Sequence, residues 1–250
     1  MASEVSLLRD ERPPSGVRRV LGFIKDALLE GRLRPGDRLL PERDLAASLG
    51  VSRPVLREGL GMLAGLGLVE TRQGSGTVIR RPAPDALGDF FTFALATGGA
   101  PVDDVMHARI AIECQAIRLA CERAGPAELA QLRARLDAIL DTLDDPRAGG
   151  QADAEFHAAL VAAAGSPTLS TVYAALSELL LASHVVRRQQ TVGVKKIRDS
   201  LAEAHRAVFA ALLTRDADAA DAQLRAHFRI GDELREAGLR RSRTEMPRRA

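Results

Sequence analysis

Residues 37 to 60, DRLLPERDLAASLGVSRPVLREGL, restrict the front of this chain to a narrow set of folds, because two short amphipathic runs meet at a single glycine, Gly50. Pro41 suits the first position of a helix running to Leu49, where its missing N–H leaves no donor unmatched, and Gly50 provides a left-handed exit. Ser52 then caps a second helix from Arg53, with Pro54 tolerated in its first turn. Leu45, Leu49, Val51, Leu56, Leu60 and Leu63 fall on the inward side, and Ala46 is small enough for the two helices to cross closely. The pattern is a helix-turn-helix. Arg53 and Arg57 occupy the exposed first turns of the second helix, where recognition helices meet the major groove, and Arg43 faces the same side from the first helix. A guanidinium fork fits a guanine edge or a phosphate, so the expected partner is double-stranded DNA.

The flanks extend this reading. Upstream, Ser15 can cap a helix from about Val17 to Glu30 that Gly31 ends. Downstream, LGLVETRQGSGTVIR sets Leu68, Val69, Val78 and Ile79 around a glycine-rich tip, which predicts a small β hairpin. Gly74 lets the backbone approach a phosphate or enter a minor groove, and Arg72 and Gln73 add polar contacts. Two prolines in RRPAPDALG interrupt the periodicity, so the first domain is placed at residues 12–81 and the second at 85–239. The breakers TGGAP, AGP, DDPRAGG, AGSP, QQTVGV and TRD cut the second domain into about six or seven helices without a strand signal. The predicted fold class is mainly α. The basic end, residues 240–250, reads as a disordered tail.

Charge and composition narrow the partners. Basic residues outnumber acidic ones by three over residues 1–80 and by four over 240–250, while 81–239 carries an acidic excess of five, a contrast that the net +2 conceals. A basic front and an acidic middle fit two domains with different partners. Aromatic content of 3% without tryptophan argues against a stacking platform for single strands. No run reaches eighteen apolar residues and the first thirty are charged throughout, so a cytoplasmic protein without membrane contact is expected. Cys114 and Cys121 lie seven apart on one helix face, too far for an unstrained bridge, and fit small apolar packing in a reduced compartment.

The second domain carries a different chemistry. Asp153 and His157 stand at i and i+4 and share a helical face, and His205 and His227 lie on the last two helices. Three histidines and a carboxylate can close around a divalent transition metal, Zn, Ni, Mn or Fe. Spacing leaves alternatives open: a helical histidine is commonly core or surface, and Asp153 could cap the helix beginning there. His107 and His184 fit no ligand slot in the pattern; His184 could line the pocket, with core or surface the expectation for both. No HExxH, nucleophile elbow or phosphate-cradling glycine loop occurs, which argues against an enzyme. An architectural DNA-binding protein without an effector is a further reading.

Residues 31–79, GRLRPGDRLLPERDLAASLGVSRPVLREGLGMLAGLGLVETRQGSGTVI, resemble the winged helix-turn-helix of the GntR family of bacterial transcription regulators. That resemblance implies operator contacts from Arg43, Ser52, Arg53, Arg57 and Gly74. Gly59 stands where alanine is usual, at a cost of up to about 1 kcal/mol of helix propensity. The order DAEFH, then EAHRAVFAAL, then a histidine in the final helix resembles the FadR-like branch, whose all-helical FCD-type ligand domain often binds metal. By this resemblance the ligands are Asp153, His157, His205 and His227. In RIAIECQAIRLA it gives Arg109 the carboxylate of a small organic acid that also ligates the metal; the plainer reading is an i,i+4 surface pair with Glu113. The function implied is a repressor, binding a palindromic operator as a homodimer because one helix reads too few base pairs, and modulated by that acid.

Overall fold

The structure, a computed structural model, describes residues 15–72, 76–82, 85–98, 104–191 and 195–230. Gln73, Gly74 and the 240–250 tail lie outside them. The chain divides into two compact units, residues 1–86 and 87–250.

In the first unit α1 (Gly16–Leu29) begins at Ser15, whose Oγ accepts from Arg18 N at 3.3 Å, and Gly31 beyond its end takes φ +71°. Helix α2 (Glu42–Ser48) is shorter than predicted at both ends: Pro41 is its N-cap, and Leu49 its C-cap. Gly50 adopts φ +60° and Ser52 caps α3 (Arg53–Gly65), accepting from Val55 N at 3.5 Å. Strands β1 (Val69–Arg72) and β2 (Gly76–Ile79) pair antiparallel with Val69 opposite Ile79 and Arg72 opposite Gly76. The sequence reading missed a third edge to this wing. Leu39 N donates to Thr77 O and Ile79 N to Asp37 O, both at 2.8 Å, so residues 37–39 line β2 and bury Leu39. Val20, Ile24, Leu45, Leu56, Leu60, Leu63 and Ile79 form the core.

Helices α1 and α3 cross at two small residues. Gly16 lies against Val55, and a Cβ on Gly59 would stand 2.9 Å from Val20 Cβ and Cγ1. Gly59 is therefore more than a weak helix former: it is the clearance for a fully buried Val20.

The second unit is helical throughout its described residues: α4 (Asp85–Gly98, which begins at the boundary), α5 (Val105–Arg123), α6 (Pro126–Asp141), α7 (Pro146–Ala163), α8 (Pro167–Ala175), α9 (Ser177–Thr191), α10 (Lys195–Leu213) and α11 (217–230). Among the described residues the predicted breakers AGP, AGSP and TRD separate helices, while TGGAP and QQTVGV lie partly outside them. The stretch between AGSP and QQTVGV is bent by 58° at Leu176 into α8 and α9, with no glycine or proline to mark the bend. DDPRAGG behaves differently. Asp145 caps α7, accepting from Arg147 N and Ala148 N, and Gly149 and Gly150 lie inside the helix. A Cβ on Gly150 would meet Val185 Cα and Cγ2 at 2.9 Å, so the glycine lets α7 and α9 touch almost backbone to backbone. Helix α7 is thereby seated among α5, α6 and α9.

The turn into α11 is held by Arg215, in the left-handed region at φ +61°. Its Nη1 donates to Ala120 O and Cys121 O at 3.2 and 3.1 Å and its Nη2 to Ala124 O at 2.7 Å, satisfying the last carbonyls of α5. No single helix among the described residues is long and apolar enough to cross a membrane.

Gly59→Ala should destabilise the protein despite better helix propensity. Propensity returns up to about 1 kcal/mol, whereas overpacking a tight core costs about 1 to 3 kcal/mol. Urea unfolding followed by circular dichroism should show a net loss of about 1 kcal/mol for the first unit.

Candidate DNA interface and metal centre

The helix-turn-helix displays its arginines to solvent, the Arg43 side chain being 85% exposed. Arg43 Nε donates to the neighbouring Asp44 Oδ1 at 3.0 Å. Arg57 reaches across to α2, where its Nε donates to Glu42 Oε2 at 2.7 Å, and Arg53 Nη2 lies 3.8 Å from the same oxygen. One carboxylate thus orients both arginines of the recognition helix. On the wing, Glu70 pairs with Arg72 at 2.5 Å and also with Arg80, and these arginines hold its carboxyl below the usual carboxylate range. A cleft of about 550 Å³, lined by Arg38, Glu42, Leu45, Arg57, Thr71 and Arg72 among others, separates α3 from the wing. Ser52 Oγ spends its acceptor on the cap and keeps its own hydrogen to donate.

In the second unit, Asp153, His157, His205 and His227 converge from α7, α10 and α11, and all four are buried. Asp153 sits mid-helix, which rules out the capping role. His157 Nε2 lies 3.2 Å from His227 Nε2 and 3.4 Å from Asp153 Oδ1, and His205 Nε2 lies 3.5 Å from that same Oδ1. The three histidines each bring a nitrogen within 4.8 Å of the others. Ligands about 2.1 Å from one ion and adjacent to each other stand about 3.0 to 3.4 Å apart, close to these separations.

The outer nitrogens decide which lone pairs face inward. His157 Nδ1 donates to Glu113 Oε2 at 2.5 Å and His205 Nδ1 to Leu201 O at 2.8 Å, leaving an Nε2 lone pair on each ring. His205 Nε2 and His227 Nδ1 find no hydrogen-bond partner among the described residues, although both are buried. Burial, then His205 and His157, push the His227 imidazole well below its ordinary value, so it is neutral and able to ligate. Burial opposes ionisation of Asp153, but His184 and His205 beside it, with a hydrogen bond from His184, hold it well below the usual range. The donor set, two rings with fixed tautomers, a neutral third ring and a carboxylate, fits a divalent transition ion.

Arg109 does not form a surface pair. It is 3% exposed and its Nε donates at 2.6 Å to Oε1 of Glu113, which is wholly buried. The Tyr173 hydroxyl donates to the same oxygen at 2.8 Å. Burial would raise the Glu113 carboxyl, but Arg109 and His157 bring it down to about 2. Arg109 Nη2 has no hydrogen-bond partner among the described residues.

Residues 17–79 match the family model described as bacterial regulatory proteins, gntR family, and residues 104–230 match the FCD domain. The chain belongs to the GntR family. A GntR relative from Bacillus subtilis, the uncharacterized HTH-type transcriptional regulator YcbG, is 32% identical over 87% of this chain and 86% of its own length. The putative L-lactate dehydrogenase operon regulatory protein of Escherichia coli is 31% identical over 80% of this chain and 78% of its own. A solved structure, Streptococcus agalactiae GntR, shares the fold with a TM-score of 0.63 at 24% identity, covering 88% of this chain and 99% of that one. As a GntR protein with an FCD domain, the chain is a DNA-binding transcription regulator and not an enzyme.

The sequence reading of this GntR chain assigns no site role to Arg188, Glu113 or Tyr173, and prefers core or surface over a pocket position for His184. His184, set aside as core or surface, lies with Nδ1 2.9 Å from Asp153 Oδ1, and Arg188 Nη2 donates to Asp153 Oδ2 at 3.0 Å. Both are buried on α9, one turn apart. Their i,i+4 spacing puts both on one face of α9 but does not point to Asp153 as the partner. Glu113 was read only as a surface partner and Tyr173 not at all; a lone tyrosine in so aromatic-poor a chain gave little to go on. His107 is exposed, beside Asp104.

Glu113→Leu should cost about 3 to 5 kcal/mol of stability, because it strands the buried Arg109 charge and unties His157. Chemical unfolding of the variant against wild type at neutral pH measures this. A loss under about 1 kcal/mol would mean that Arg109 finds another partner or water.

Proposed function

We propose that this regulator is a metabolite-responsive repressor acting in the cytoplasm, which binds a palindromic operator as a homodimer and is modulated by a small carboxylate held at a metal site. The observation that carries this reading is the convergence of Asp153, His157, His205 and His227 beside an Arg109 whose buried Nη2 has no hydrogen-bond partner among the described residues. A metal bound by those four residues supplies a Lewis-acid centre for an acid's carboxylate. Arg109 supplies a directed donor to that carboxylate while Glu113 fixes its guanidinium. Phe156 packs edge-on against His157 and His205 and keeps water from the rings.

The DNA-reading half rests on Arg53 and Arg57 toward bases, with Arg43, Ser52, Arg72, Gln73 and Gly74 toward the backbone or groove. Domain limits of 12–81 for DNA binding and 85–239 for sensing and dimerisation accompany this reading. Leu87, Phe90 and Phe93 of α4 are exposed and offer apolar surface to a second copy. Two copies place two recognition helices on one palindrome. The acid alters operator affinity by its differential affinity for two arrangements of the protein, typically about 1 to 3 kcal/mol.

Selection from a random duplex library should return a palindrome, bound with an affinity that falls steeply as salt rises. Arg53→Ala and Arg57→Ala should each cost about 1 to 3 kcal/mol of binding in a fluorescence anisotropy titration. Unchanged affinity in a folded double variant would remove the recognition-helix assignment.

Protein purified without chelator and refilled should carry about one transition ion per chain by elemental analysis, since four ligands make one site. His205→Ala should lower that content while the circular dichroism spectrum stays helical. Background metal in the refilled wild type would exclude the site.

A further inference from the structure

The outer face of the wing gathers Arg38, Arg72 and Arg80 around a single carboxylate, Glu70. Antiparallel pairing sets Glu70 opposite Val78 and Arg72 opposite Gly76, and a bridge from Arg38 to Val78 brings residues 37–39 onto the same sheet. Residues directly opposed across strands share a face, so Arg38, Glu70 and Arg72 stand on one side while Val69, Thr77 and Ile79 are buried on the other. Glu70 is engaged by Arg72 and Arg80. Asp37 Oδ2 accepts from Arg34 N at 2.7 Å, and Glu42 Oε2 accepts from Arg57. With these three carboxylates occupied, Arg38 forms no ion pair among the described residues.

Arg38 is nevertheless held in place. The hydrogen bonds from Leu39 N to Thr77 O and from Ile79 N to Asp37 O fix its backbone on both sides. Its stem lies along the start of β2, where a Cβ on Gly76 would stand 3.8 Å from Arg38 Cδ and 3.9 Å from Cγ. The residue is exposed, and with Arg57 and Arg72 it borders the cleft of about 550 Å³ between α3 and the wing. With α3 in a major groove and the wing at the neighbouring minor groove, the sugar-phosphate strand that divides the two grooves passes through this cleft. A helix about 10 to 12 Å across fills a major groove about 12 Å wide, so a cation beside the helix meets phosphates rather than base edges.

We propose that Arg38 binds a backbone phosphate of the DNA, seating the strand between the grooves in the cleft between α3 and the wing. The assignment rests on the reading that places Arg53 and Arg57 at the bases, and it adds a residue that neither the spacing nor the resemblance singles out. A phosphate contact carries no sequence information: it fixes register and strengthens binding to any duplex by releasing counterions. Arg72 differs from Arg38 because its charge is already shared with Glu70 before DNA arrives.

Fluorescence anisotropy of the full-length protein on a random-sequence duplex, titrated at several salt concentrations, tests this without knowledge of the operator; the palindrome returned by selection is the second probe. Arg38→Gln should weaken both complexes by the same factor and make the plot of log affinity against log salt less steep by about 0.9 for each copy of the chain bound. Between about 50 and 200 mM salt, wild type should therefore lose roughly threefold to fourfold more affinity per copy than the variant. Arg38→Lys keeps the charge and should keep the steepness. Arg32→Gln controls for net charge. Arg32 pairs with Glu30 beyond the end of α1, and α1 runs alongside α3 with Gly16 at Val55 and Val20 at Gly59, so that end lies away from Arg53. This variant should bind as wild type does. Wild-type steepness in Arg38→Gln would overturn the assignment. So would weakening confined to the palindrome, which marks a base contact, or an equal change in Arg32→Gln, which marks a general effect of charge. The recognition-helix reading fails separately, if the Arg53→Ala/Arg57→Ala variant keeps its preference for the palindrome over the random duplex.

Discussion

Two carboxylates without access to water govern the architecture of the second unit. Glu113 and Asp153 are each nearly inaccessible, and an ionised carboxylate in such a place is tolerated only when hydrogen bonds and countercharges converge on it. Glu113 receives Arg109 from its own helix, Tyr173 from α8 and His157 from α7. Asp153 receives Arg188 and His184 from α9, with His157 and His205 close by. Neither acid can be satisfied by one neighbouring helix. The helices must assemble together for either charge to be accommodated, and the histidine rings take their orientation from the same bonds.

The apolar framework makes those bonds reachable. Asp153 can meet His184 and Arg188 only because Gly149 and Gly150, a turn earlier on α7, let that helix come within contact distance of Thr142 and of the α9 backbone at Val185. A side chain at Gly150 would force the two helices apart, lengthening the hydrogen bonds just beyond it. Gly59 serves the first unit similarly, letting α1 pack closely on α3, the helix that carries Arg53 and Arg57. In both units a residue without a side chain sets how closely two helices approach.

Much of this was legible in the sequence because local rules and tertiary packing agree. Ser15, Ser52, Gly31 and Gly50 mark helix ends that the structure places within a residue of expectation, since caps and left-handed exits are decided by a few adjacent atoms. Asp153 and His157 share a face by helical geometry, and the order of the later histidines carried a family resemblance that geometry alone did not. The bend at Leu176 was not legible: no proline or glycine marks it. Nor were the glycines of α7 readable as helix interior, because their intrinsic preference points the other way and packing against Val185 overrides it. His184 remained hidden for a related reason. Its partner Asp153 is thirty-one positions away, and no local pattern distinguishes a histidine that grips a buried acid from one that fills space.

Arg215 bears on how the second unit opens. Its guanidinium ties the turn between α10 and α11 to the last carbonyls of α5, in a backbone conformation that costs an L residue of order 1 kcal/mol or more and persists only while those bonds are made. The end of α5 therefore cannot fray while that turn stays docked, and the turn cannot swing out without exposing the end of α5. The C-terminal turn of α5 and the adjoining ends of α10 and α11 should therefore exchange their amide hydrogens as one cooperative unit, which would make the helices bearing His205 and His227 share their opening events with the helix bearing Arg109.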